Sequence, residues 1–125
     1  MAGSANPVVS NTTPVINLVG VGPLDLLPGL YGSVTIASAV RDEYVAGKSA
    51  NDPDLDLLPW LQIVPAGPLI GSLPPQLGGG EAATISLART LNARAVLLDE
   101  AYGRRIARQL GLRVVGALGI LLAAK

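Results

Sequence analysis

Pro7-Val8-Val9-Ser10-Asn11-Thr12-Thr13-Pro14 decides how this chain is read. Its first half, Pro7 to Ser10, is a short apolar run with β-branched side chains, as a buried strand requires. Asn11-Thr12-Thr13 then offers turn and cap residues. Pro14 sits at a first helical position, where its missing N–H is harmless because the first N–H groups of a helix have no partner within it. A strand ends here and a helix begins.

The same alternation recurs outward along the chain. Ser33-Val34-Thr35-Ile36, Gln62-Ile63-Val64, Ala95 to Leu98 and Arg113-Val114-Val115 read as further strands. Gly20, Gly22 and Pro23 break the first helix, Leu24 to Leu30 makes a short second one, and Ser38 caps a third that runs to about Ala46. Glu81 to Asn92, Glu100 to Leu110 and Leu118 to Ala124 carry helical periodicity. Gly47 to Asp56 is polar, acidic and broken by Pro53, which predicts a surface loop with about one helical turn. Pro65 to Gly80 holds four Pro and five Gly and is a long loop, a feature often functional in compact domains. Short apolar runs separated by helices specify an α/β class, with a parallel sheet of about four to five strands covered by helices. No internal repeat and no composition break divides the chain, so residues 1–125 are expected to form one domain.

Composition removes several chemistries. The 125 residues include no Cys and no His, which excludes Ser-His-Asp and Cys-His nucleophiles, zinc fingers, haem and iron–sulfur ligation, and an imidazole base. Acid–base or metal chemistry must run on carboxylates. Nine Lys and Arg balance nine Asp and Glu, so a protein holding duplex nucleic acid through a large basic field is not expected. One Trp, three Tyr and no Phe leave too few rings for a base-stacking platform. The apolar stretch Val114 to Ala124 falls short of the roughly 20 residues that cross a bilayer, and the start lacks the regions of a signal peptide. A soluble, cytoplasmic domain without membrane contact is expected.

In open α/β sheets the ligand crevice lies beyond the carboxyl ends of the strands. The first strand runs into Asn11, the Ala95–Leu98 strand runs into Asp99 and Glu100, and Glu81 opens the helix before it. If those strands are neighbours, oxygen ligands converge, and clustered carboxylates without compensating cations suit a hard dication such as Mg²⁺ or Mn²⁺. Each acid also has a plainer reading. Glu81 lies in a first helical turn, where the dipole favours a negative charge. Asp99 serves equally as the cap of the following helix. Glu43, beside Asp42, fits a solvated helix face. Gly78-Gly79-Gly80 opens onto a helix, but Glu81 puts a negative charge where a phosphate would sit, and no dinucleotide or P-loop signature is present. Arg89, Arg94, Arg104, Arg105, Arg108 and Arg113 place six of the nine basic residues in the carboxy-terminal third. Arg104, Arg105 and Arg108 share one helical neighbourhood, suited to a phosphate backbone, an acidic partner, or simple solvation.

Five segments together resemble a known family: Val8 to Ile16, Ala39 to Glu43, Gly80 to Ala88, Leu97 to Glu100, and Leu110 to Gly116. In order and over nearly the whole chain they are similar to the PIN-like domains of the DUF3368 family, within the VapC-like toxin and ribonuclease superfamily. The resemblance implies a three-layer α/β/α fold and a metal-dependent ribonuclease, frequently the toxin of a toxin–antitoxin pair, with an antitoxin protein as partner. It places the acids of the site on Asn11, Glu43, Glu81 and Asp99 or Glu100, holding one or two Mg²⁺ or Mn²⁺ ions. Ser10 or Thr12 would orient RNA or water, and Arg104, Arg105 and Arg108 would steer the RNA backbone. Asn11 offers a neutral carbonyl where the family pattern has Asp, and Glu100 replaces the second of two aspartates with a longer side chain. Those departures motivate an alternative: a catalytically weakened domain that binds nucleic acid or protein. Lys125 closes the chain sooner than the resemblance leads one to expect, implying a compact or truncated form. A mean hydropathy of +0.48 points to a homodimer.

Overall fold

The computed structural model describes residues 6–21 and 26–123. In chain order the elements are β1 (Val8–Ser10), α1 (Thr12–Val21), α2 (Leu26–Tyr31), β2 (Val34–Ala37), α3 (Ser38–Gly47), a single 3-10 turn at Leu55–Leu57, β3 (Leu61–Val64), α4 (Gly79–Thr90), β4 (Ala95–Leu97), α5 (Ala101–Gln109), β5 (Val114–Val115) and α6 (Ala117–Ala123). The expected start of the second helix at Leu24 and end of the last at Ala124 lie outside the described residues.

Strand alternation builds two cores, one on each face of the sheet. Val8, Ala95, Leu97, Val34 and Ile36 point to one side, where Val15, Leu18, Leu27, Leu55 and Ile120 meet them. Val9, Val96, Leu98 and Ala37 point to the other side, against Val40 and the buried strip of α4 that includes Ile85, Leu87 and Ala88. Period-2 side chains covered on both faces explain why these strands read as continuous apolar runs. The five strands form one parallel sheet in the order β3-β2-β1-β4-β5. The α/β/α class is therefore as expected.

Local chemistry fixes the helix ends. Thr12, not Pro14, begins α1, which leaves Pro14 buried in the first turn, where its absent N–H would have had no helical partner in any case. Ser38 is likewise the first helical residue and not the cap; Ala37 holds that position with no side-chain bond. Gly111 ends α5 at φ 81°, allowing Leu112 N–H to reach Ala107 O at 3.1 Å. Ala82 to Ala88 are buried through the middle of α4, and two polar members are satisfied locally: Thr84 donates to Gly80 O at 2.8 Å, and Ser86 Oγ accepts from Ile70 N at 3.0 Å. The second bond ties the long Pro65–Gly78 loop to α4. On the far side, Tyr44 donates its hydroxyl to Pro53 O at 2.6 Å, and burial, then Asp52 and Asp54, push its ionisation upward.

Strand order reverses at β1. Its neighbours are β2 on one side and β4 on the other, so the connection from β3 crosses over and opens a crevice beyond the carboxyl ends of β1 and β4.

Candidate active site

The β1–β4 ladder pairs Ser10 with Leu97, and Asn11 N donates to Leu97 O at 3.1 Å, extending the pairing one residue past the strand. The Asn11 side chain is thereby held at the mouth of the crevice. Its Oδ1 accepts from Thr12 N at 3.0 Å, which leaves Nδ2 to donate to Glu81 Oε2 at 3.2 Å. Glu81 reaches the same point from the first turn of α4. Glycines clear its way: a Cβ on Gly78 would collide with Glu81 Oε1, and one on Gly103 would lie 3.1 Å from Glu81 Cγ. A Cβ on Gly80 would lie 3.4 Å from both Asn11 Oδ1 and Glu43 Oε1, so the exposed Glu43 on α3 approaches the same place.

Asp99 enters just beyond β4. Its Oδ1 accepts from Ala117 N at 2.7 Å, and its Oδ2 from Asn17 Nδ2 at 3.2 Å. The expected cap on the helix after β4 is therefore corrected by one residue: Glu100 Oε1 accepts from Tyr102 N at 3.2 Å and caps α5, while Asp99 supports the start of α6. Asn11, Thr13, Glu81, Asp99 and Glu100 line a cleft of about 270 Å³. Three carboxylates and an amide face it, and among the described residues no Lys or Arg lines it.

The DUF3368 family, described as a PIN domain, matches residues 7–125. The chain belongs to this family. Its fold is similar to that of a PilT N-terminus domain protein from the hyperthermophilic archaeon Sulfolobus solfataricus, with a TM-score of 0.60 at 18% identity, over 94% of this chain and 92% of that one. None of the curated proteins matches. A PIN domain suggests a nuclease-type function and an interaction with nucleic acid, and PIN domains generally use divalent metal ions. Among the described residues, no helix is long and apolar enough to cross a membrane.

The donor set of this PIN domain fits such an ion in kind: carboxylate and amide oxygens, with no Lys or Arg among the described residues that line the cleft. Among the described residues no three acidic side chains stand together as a ready-made cage.

Other expected site residues lie apart. Ser10 is fully buried and donates to Asn11 O at 2.6 Å, bracing the strand end; Thr13, rather than Ser10 or Thr12, lines the cleft. The three arginines of α5 diverge. Arg104 lines a neighbouring cavity, Arg105 stacks over the Tyr102 ring at 5.1 Å, and Arg108 is exposed. Sequence reasoning missed Thr13, Asn17, Gly103 and Gly116. Thr13 and Asn17 stand four apart on a largely apolar helix, a polar pair on one face that was open to recognition. Gly103 interrupts a helix at a cost of about 1 kcal/mol relative to Ala, which signals a close neighbour.

Proposed function

We propose that this PIN domain is a divalent-metal-dependent endoribonuclease that hydrolyses RNA phosphodiesters at the Asn11–Glu81–Asp99 cleft. The reading is carried by one observation: in a member of a PIN family, the crevice at the strand-order reversal is lined, among the described residues, by carboxylates with no Lys or Arg between them. Glu81 and Asp99 are the residues that would hold Mg²⁺ or Mn²⁺, with Glu43 and Glu100 at the margins. A bound dication supplies Lewis acidity for water activation and for charge developing on phosphate. The chain's own side chains do the positioning. Asn11 Nδ2 orients the Glu81 carboxylate, Asn17 and the Ala117 N–H fix Asp99, and Thr13 offers a hydroxyl at the rim. A toxin role with a protein antitoxin, a cytoplasmic location, and a homodimer belong to the same proposal.

Cleavage of a labelled single-stranded RNA at fixed Mn²⁺ tests it, comparing the native chain with Glu81→Gln and Asp99→Asn. Loss of metal-dependent cleavage in both variants is expected. Equal cleavage by all three proteins would remove the chemistry from this cleft.

The second reading, a binding domain with weakened catalysis, has its own observation. Asn11 donates to Glu81 Oε2, engaging an oxygen that a metal would use. Calorimetric titration with Mn²⁺ separates the two, since the binding-only reading expects no heat of association at millimolar metal.

A further inference from the structure

A second cavity, of about 400 Å³, adjoins the carboxylate cleft and shares Asp99 with it. Its floor is apolar, formed by Val114, Val115 and Gly119, with Leu118 and Leu122 beside them. Leu118 is 71% exposed and Leu122 62%, so the apolar side is open to solvent. Asp99 and Arg104 are its charged members. Arg104 does not resemble an ordinary surface cation. Its Nε is buried and, among the described residues, has no hydrogen-bond partner. A Cβ on Gly116 would stand 3.4 Å from Arg104 Nη1 and 3.3 Å from Asp99 Oδ1, which places the guanidinium beside the shared wall. Both Asp99 oxygens are already engaged by Ala117 N–H and Asn17, and the ion pairs among the described residues involve Arg41 and not Arg104. Leaving a buried donor unmet is costly; Nε itself is closed to an outside ligand, so a partner from outside the chain would meet the end of the guanidinium that lines the cavity.

Accordingly, we propose that this cavity is the subsite for the nucleotide flanking the scissile phosphodiester, with Arg104 binding that nucleotide's phosphate and the Val114–Val115–Leu118–Leu122 surface packing against its base or ribose. The guanidinium offers parallel donors that match phosphate oxygens, and the apolar wall offers the surface a lone inorganic anion would not need. Sharing Asp99 sets the cavity one step along a strand whose scissile phosphate lies in the cleft. The placement rests on the nuclease reading given above; the nucleotide-binding property does not.

Titration of the isotopically labelled full chain by NMR, in EDTA so that no divalent ion contributes, tests the subsite directly. The probes are adenosine 5′-monophosphate, adenosine and inorganic phosphate. Saturable shifts of the Val114–Gly119 amides are expected with the monophosphate, and binding at least about tenfold weaker with either fragment alone. Arg104→Gln should weaken monophosphate binding by about tenfold or more, as loss of a charge-assisted hydrogen bond predicts, and Arg104→Lys should restore part of it, guarding against a folding defect. Glu81→Gln should retain monophosphate binding even as it abolishes RNA cleavage. Binding that persists in a chain with no nuclease activity would sink the nuclease reading and keep the nucleotide site. Equal affinity for phosphate and monophosphate would reduce the cavity to an anion site and overturn the proposal. So would shifts at Leu118 and Leu122 that follow protein concentration and not nucleotide, because the surface would then belong to a second copy.

Discussion

Arg94 and Arg104 sit at opposite ends of the sheet and show how differently those ends are finished. At the amino end, Arg94 Nε donates to Asn6 O at 3.0 Å, Nη2 donates to Tyr31 O at 2.8 Å, and the guanidinium stacks over the Tyr31 ring at 5.6 Å. It closes off carbonyl groups that the strand starts leave open. At the carboxyl end, Arg104 Nε is buried without a partner among the described residues, and the adjoining carboxylates face open cavities. At the amino end the Arg94 donors are met within the chain, although a cavity of about 340 Å³ lined by Arg94 opens beside them; the carboxyl end keeps polar groups in reserve. On the proposed function, stability belongs to the first and ligand binding to the second, an assignment that substitutions can break.

The largest effect is expected at the carboxyl end. Glu81→Gln keeps the shape and removes the charge, and RNA cleavage should fall by at least about a hundredfold, since even outer partners of metal ligands cost 10–100-fold when changed. Thermal unfolding in EDTA should hardly move. A large drop in Tm without metal would mean that Glu81 is mainly structural. Asn11→Asp comes next. It exchanges a donor to Glu81 for a second carboxylate, so without metal it should lower Tm. With Mn²⁺ present it should raise Tm above the native chain, because a ligand that binds only the folded state stabilises it by mass action. A Tm that stays low at millimolar Mn²⁺ would show that the acids do not share an ion.

The paired arginine substitutions give a smaller effect. Arg94→Met loses two hydrogen bonds to backbone oxygens and a ring contact, and should lower stability by about 1–2 kcal/mol without touching cleavage. Arg104→Met removes an unmet donor and puts methylenes against an apolar floor, so its stability should match or exceed that of the native chain. Chemical denaturation of both proteins decides the matter: if Arg104→Met proves the more damaging, the division between the two ends fails.

How much of this was legible in the sequence follows from what each part depends on. Strands were readable because Val8-Val9 and Ala95-Val96-Leu97-Leu98 are buried on both faces and must be apolar throughout, while Val114-Val115 on the edge strand are half-buried against the same two cores. Asn11, Glu81 and Asp99 were readable as a group once β1 and β4 were assumed adjacent, and that adjacency is a matter of topology that no local pattern contains. Side-chain direction was not legible. Arg104, Arg105 and Arg108 share a neighbourhood in sequence, yet one enters a cavity, one stacks on Tyr102 and one meets solvent. The role of Asp99 at α6, eighteen residues onward, depends on β5 returning beside β4.

Glycines give the finest version of the same contrast. Gly29 lies in α2, and among the described residues a Cβ there would meet nothing within 4 Å. Gly29→Ala should therefore stabilise the protein by up to about 1 kcal/mol through helix propensity and the reduced entropy of the unfolded chain, with cleavage unchanged. Gly103→Ala has the same propensity in its favour, but its Cβ would press on the Glu81 stem at 3.1 Å, and Glu81 is hemmed on its other side by Gly78. Crowding then offsets the gain, and Tm should stay within about 3 °C of the native value, given that 1 kcal/mol moves a domain of this size by a few degrees. Activity should respond more than stability, with cleavage reduced by about tenfold, since a carboxylate displaced by a fraction of an ångström loses its alignment. If Gly103→Ala were as stabilising as Gly29→Ala and cleaved RNA normally, Glu81 would have room to spare, and the close fit around it would carry no functional meaning.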